Sequence, residues 1–233
     1  MFFSYIINAS ARFVHTEGDY MSLKTKTILS LICNAIVFTV TTGIVVSRMI
    51  FGSEIVEHGY MTFIFFTTDS NVLTAVASAL VMICDVKILR GERTTVAKPF
   101  TLLKYAGVVG LALTFFTVLF LLIPIYGIGM QWGGTGAHMH VAAPALSFVS
   151  FVFLEQHTRL SIRDALIAIL PVVIYGIVYF LQVVVFRNWM DFYAFNSGGM
   201  WYLIMPAIIG ISLGMSLLIR LLRNKIGIKK GSA

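Results

Sequence analysis

Apolar residues run along this chain in stretches of about 20 positions separated by short polar clusters, the spacing at which a helix crosses a hydrocarbon core roughly 30 Å thick. Six such windows fit, at residues 27 to 50, 60 to 84, 101 to 126, 138 to 156, 164 to 186 and 201 to 222. The expected architecture is therefore all-α and integral to a membrane. A segment at 1–26 precedes a six-helix transmembrane domain at 27–222, and a basic tail at 223–233 follows it. The windows use nearly the whole sequence, and no internal repeat of the kind that marks many transporters is visible. Met21-Ser22-Leu23-Lys24 reads as a second plausible start, which would make the first twenty residues an interfacial segment or a dispensable extension.

The second window breaks its own pattern. Thr67-Thr68-Asp69-Ser70-Asn71 places five polar residues in succession inside the apolar run. A carboxylate at bilayer depth costs roughly 2.5 to 3.5 kcal/mol even on lenient insertion scales, so this helix is expected to turn Asp69 toward a protein core or a wet cavity. At 100° per residue Thr67, Ser70, Asn71, Thr74 and Ser78 form one stripe, and Asp69 points to roughly the opposite side. Hydroxyls that bond back along the helix account for a Ser or Thr taken singly. They do not account for Asp69 and Asn71, so a cavity touching this helix is the expected functional centre.

Composition then fixes the class. Hydrophobic residues make up 58% and charged residues 12% of the chain, and the mean hydropathy is +0.91; a soluble domain carries nearer 25% charge. The net charge of +7 is distributed asymmetrically. Fifteen of the seventeen Lys and Arg fall before the first window, in the second and fourth connections or in the tail, leaving Arg48 and Arg187 for the other side. The positive-inside rule places both termini in the cytoplasm of a cell membrane, with membrane lipids as neighbours and no nucleic acid as partner. Lys104 is counted here with the second connection. Cys33 and Cys84 lie near the cytoplasmic ends of their helices, where buried thiols are expected and a disulfide is not.

Several further stretches carry chemistry or local structure. Glu54, Glu57 and His58 sit in the first outer loop, and a glycine-rich turn, Trp132 to Ala137, leads to His138 and His140. Two histidines two apart on a helix do not converge on one ion, so neither a metal nor another cofactor is expected. Glu155-Gln156-His157 is read as a solvated cytoplasmic turn. Ser161 with Asp164 forms a capping box for the fifth helix, which Pro171 should kink. Gly107 with Gly110, and Gly210 with Gly214, are expected to let helices pack closely. Asp191 and Asn196, in the aromatic stretch Trp189 to Asn196, are candidate lid residues over an outer cavity.

Taken together, the six-helix layout with both ends inside, Phe66-Thr67-Thr68-Asp69-Ser70-Asn71, His140 to Pro144, Arg159 to Leu166 and Trp189 to Asn196 resemble bacterial relatives of the androgen-induced membrane protein family. The resemblance covers residues 27 to 222. It implies an intramembrane hydrolase of fatty acyl esters, with Thr67 as nucleophile and His140 as base. Thr68 stands beside the nucleophile and His138 beside the base as alternatives, and Ser150 stands where bacterial relatives often carry an aspartate. Asp69, Ser70, Asn71, Asp191 and Asn196 are candidate contacts for a lipid or small-molecule substrate, and Asn71 or backbone N–H groups are candidate oxyanion donors. Two other classes fit the residues: a transporter of small solutes, ions or protons using Asp69, and a non-catalytic membrane scaffold.

Overall fold

A computed structural model describes residues 21–52 and 59–228. Glu54, Glu57, His58 and the segment ahead of Met21 lie outside the described residues. Among the described residues there are helices and turns and no strand. Six long helices appear: α1 Leu23–Phe51, α2 Phe66–Leu89, α3 Lys98–Tyr126, α4 His138–Leu154, α5 Ile162–Val185 and α6 Trp201–Ile228. Five of them are long and apolar enough to cross a membrane, and α4 is shorter. Large apolar side chains face outward along the bundle, among them Ile36, Val76, Phe120, Ile174, Ile211 and Leu218. A soluble monomer rarely exposes such a continuous apolar surface.

Short connections make successive helices antiparallel, so the bundle has two ends. One end, here the terminal end, carries the start of α1, the connection at 90–97, the turn at 155–161 and the end of α6. The opposite end carries residues 59–65, 127–137 and 186–200. The central helix is α3, packed against α2, α4, α5 and α6, with Tyr105, Val108, Val109 and Leu111 at or near zero exposure. Gly107 permits this. A Cβ there would come within 2.5 Å of the Thr74 hydroxyl and 3.0 Å of the Thr74 Cα, so only glycine lets α2 and α3 touch backbone to backbone at that level.

Prolines mark three of the irregular turns among the described residues. Pro144 has no N–H to donate to the carbonyl four residues back, and the turn His138–Ala142 widens to π geometry just before it. The same widening, over Val118–Leu122, precedes Pro124. The expected break at Pro171 is present, because α5 is interrupted at Ile169 between Ile162–Ala168 and Leu170–Phe180. The capping box at its start is complete: Asp164 Oδ2 accepts from Ser161 N–H at 2.7 Å, and Ser161 Oγ accepts from Asp164 N–H at 3.2 Å.

Three expectations are corrected. Lys104 is not a connection lysine: it lies inside α3 with no exposure. The Glu155–His157 turn is not solvated, since the side chains of both residues are fully buried. Gly210 and Gly214 open no packing groove within this chain, as nothing lies within 4 Å of a Cβ at either position. In the first two cases a charged side chain near a helix end is buried against polar partners, Asn34 and Ser78 for Lys104 and Ser150 for Glu155.

Candidate functional site

The end opposite the termini is assembled around the first turn of α2. A 3-10 turn, Gly59–Ile64, delivers an extended Phe65 and then Phe66, with no side chain capping the helix. The outer connection supplies the missing partner: Phe66 N–H donates to the Tyr193 hydroxyl at 3.1 Å. That phenol also meets the Thr67 side chain, and desolvation pushes its pKa up to about 12. Tyr193 therefore stays neutral and keeps one O–H to donate. From α5, the Tyr175 hydroxyl donates to Ile64 O at 2.8 Å, holding the entry to α2 from the other side.

Thr67, 9% exposed, stands in the wall of a cavity of about 470 Å³ between α3, α5 and α6. The lining is almost entirely hydrocarbon and aromatic, and includes Phe66, Tyr175, Tyr193 and Ile208. Phe116, Phe120 and Ile211 also line it and are exposed on the outward face of the bundle, so the cavity reaches that apolar surface. Thr68 is turned away. It has no exposure, and its hydroxyl is 3.3 Å from that of Thr62.

The histidines occupy different settings. His138 Nε2 is 3.0 Å from the Thr41 hydroxyl of α1, which commits that nitrogen. His140 Nδ1 is 2.6 Å from Gln131 O. A carbonyl can only accept, so Nδ1 carries the hydrogen and Nε2 of the neutral ring holds a lone pair. Glycine at 136 allows this approach, because a Cβ there would be 2.3 Å from the Gln131 carbonyl oxygen. The π turn carrying both histidines is tied to α2 by Asn71, whose Nδ2 donates to Thr67 O at 2.8 Å and to Met139 O at 3.0 Å. The backbones of Thr67 and of the residue preceding His140 are thus joined through one amide. No hydrogen bond joins Thr67 to His140 directly. Both amide hydrogens of Asn71 are spent, so the expected oxyanion donor is already committed, while the Tyr193 hydroxyl lies against the Thr67 side chain.

The remaining candidates divide between packing and a second cavity. Ser70 Oγ is 3.1 Å from the Thr114 hydroxyl and 3.2 Å from Thr67 O, a contact between α2 and α3. Asp191 accepts from Tyr179 O–H, Phe195 N–H and Asn196 N–H at 3.3, 2.8 and 2.8 Å, which shapes the aromatic connection and leaves it little capacity for a ligand. Asn196 is part of that same turn. Asp69 is half-buried and lines a separate cavity of about 330 Å³. Asp69 lies in the first turn of α2, where the helix dipole favours a carboxylate by about 0.3 to 1 kcal/mol.

Near the terminal end lies a buried polar cluster that the sequence reading missed. Lys104 Nζ donates to Asn34 Oδ1 at 2.8 Å and Ser78 Oγ at 2.7 Å, and lies 4.0 Å from Glu155 Oε1. Glu155 Oε1 accepts from Ser150 O–H at 2.8 Å and Asn34 Nδ2 at 3.3 Å, while His157 Nε2 lies 2.8 Å from Oε2. Ser30 O–H donates to Asp85 at 2.7 Å, and Arg223 Nη2 donates to Glu155 O at 2.8 Å. A signal was present in the sequence: Thr27, Ser30, Asn34 and Thr41 recur at helical spacing along α1 and all point inward. Among the described residues no three His, Cys, Asp or Glu converge as a metal site. No family model, curated protein or solved structure matches this chain.

Proposed function

We propose that this chain is a six-span protein of the cell membrane with both termini cytoplasmic, and that its Thr67 cavity takes the acyl chain of a membrane lipid for ester hydrolysis. The observation that carries the reading is the Thr67 hydroxyl in the wall of an apolar cavity that reaches the outward face of the bundle. The resemblance to the androgen-induced family and the charge asymmetry point the same way.

In the reaction, Thr67 Oγ attacks the ester carbonyl carbon while its proton passes to Nε2 of His140. The Nδ1 bond to Gln131 keeps that ring in the accepting tautomer. Such bonds are often long before substrate binds, and the base must close to about 2.6 to 3.2 Å for transfer. The Tyr193 O–H donates to the carbonyl oxygen as charge develops there. The imidazolium returns its proton to the departing alkoxide, leaving an acyl-Thr67 ester. Water, activated by the same imidazole, then hydrolyses that ester to release the fatty acid.

Labelling of the purified protein with a fluorophosphonate tests this. Thr67→Ala should abolish labelling, and His140→Ala should slow it by roughly 10² to 10⁴. Tyr193→Phe should slow it by about 10². Thr68→Ala and His138→Ala should leave most of it, since their side chains are engaged with Thr62 and Thr41. Absence of labelling in well-folded protein, or labelling that survives Thr67→Ala, would overturn the assignment. The transport reading keeps one observation of its own, the carboxylate of Asp69 in its separate cavity.

A further inference from the structure

Six carboxylates lie among the described residues, and five have partners. Asp85 accepts from Ser30, Glu92 lies 4.0 Å from Arg90, Glu155 sits in the buried cluster, Asp164 pairs with Lys98, and Asp191 accepts three hydrogen bonds. Asp69 has no hydrogen bond or ion pair from any described residue, although it stands in a transmembrane helix. Its cavity, about 330 Å³ between α2, α3 and α5, explains where the carboxylate is aimed.

Four aromatic residues share that lining with Asp69: Phe63, Phe66, Tyr175 and Trp189. The rest is chiefly hydrocarbon, including Pro171, Ile174 and Val178, and of these Ile174 and Val178 are exposed on the outward face. The combination selects a ligand class. An inorganic cation such as Na⁺ or Ca²⁺ needs about six oxygen ligands, and the only other hydroxyl of α2 in this wall, Ser70, is already engaged with Thr114 and Thr67 O. A neutral lipid would leave the carboxylate unpaired. An organic ammonium is stabilised by the carboxylate and by ring faces together, and the apolar rim accommodates the chain attached to it.

We propose that the Asp69 cavity binds the ammonium group of an amphiphile, with Asp69 as counter-ion, the rings of Phe63, Phe66, Tyr175 and Trp189 around the cation, and the hydrocarbon tail along α5 toward the lipid. Asp69 lies in the first turn of α2, near the end of the span, which is the depth of lipid headgroups. The ammonium can therefore come from an aminophospholipid or from a single-chain amine dissolved in the membrane. The site is separated from the Thr67 cavity by Phe66 and Tyr175, whose rings are 5.0 Å apart, and it does not depend on hydrolysis at Thr67.

The test is calorimetric titration of the purified protein, in phosphatidylcholine-free nanodiscs of phosphatidylglycerol, with decyltrimethylammonium and with decanol as the neutral control. Saturable binding of the ammonium, at least tenfold tighter than decanol, is expected. It should weaken at least tenfold in Asp69→Asn, weaken several-fold in Trp189→Leu and persist in Asp69→Glu, which also guards against loss of fold. Native mass spectrometry after purification from a mixed membrane distinguishes the sources. Retention of phosphatidylethanolamine by the parent and not by Asp69→Asn assigns the site to a headgroup, whereas binding of the free amine alone assigns it to a soluble amphiphile. Equal binding by decanol, or binding unchanged in Asp69→Asn, would overturn the proposal.

Discussion

Lys104 and Glu155 show how much a single side chain depends on its neighbours here. Both are fully buried, and each finds its partners on other helices: Asn34 on α1, Ser78 on α2, Ser150 on α4. Taking away one buried charge leaves the other uncompensated, a loss of about 3 to 5 kcal/mol, whereas neutralising both can be close to neutral. Lys104→Met and Glu155→Gln should each lower stability by that order, and the double variant should recover most of it, as measured by denaturant titration in detergent. Beside them, burial holds the His157 imidazolium below its usual pKa of 6.5 in spite of the adjacent Glu155. With the folded value depressed, the unfolded chain binds the extra proton first. Stability should therefore be level above about pH 6.5 and fall as pH drops below it, and His157→Gln should flatten that decline. A stability curve of unchanged slope in His157→Gln would remove the residue from the account.

At the scale of the elements, the contact between α2 and α3 is decided by two glycines that are not equivalent. A methyl at Gly107 would strike the Thr74 backbone and hydroxyl, while one at Gly110 would come only to 3.1 Å from Ser70 Cβ and 3.4 Å from the Phe66 ring. Gly107→Ala should cost about 1 to 3 kcal/mol through overpacking, Gly110→Ala less, and Gly214→Ala close to nothing, since the space beside it is open. Thermal unfolding of the three variants checks the order. Element positions were legible in the sequence because length and hydropathy determine them locally: five windows reappear as helices long and apolar enough to cross a membrane and the fourth as a shorter helix, and the capping box of α5 and its break before Pro171 are present. The π turn at His138–Ala142 was not anticipated, although its cause, a proline two residues beyond its end, is visible in the chain.

For the molecule as a whole, the proposed orientation makes a direct prediction. Cysteines introduced at Glu92 and Met190, both exposed, should react with an impermeant reagent from opposite sides of the membrane, with Glu92 accessible only from the cytoplasm. Reaction of both from one side would sink the six-span topology. The sequence by itself determined the helical class, the six windows and the need for an inward-facing polar surface on α2, since each follows from hydropathy and period alone. Only the tertiary structure decided which polar groups meet. It put Thr67 on an apolar cavity and Thr68 against Thr62, committed His138 to Thr41 and His140 to Gln131, turned Asp69 into a second cavity lined by rings from α2, α5 and the following connection, and gathered Lys104, Asp85, Glu155 and His157 from distant segments into one cluster. The reason is physical. Hydropathy says how far a residue stands from water, but a buried polar group is satisfied by its partners, and several of those partners are remote along the chain, 55 positions for Ser30 with Asp85 and 121 for Asn34 with Glu155, so the packing of helices chooses them.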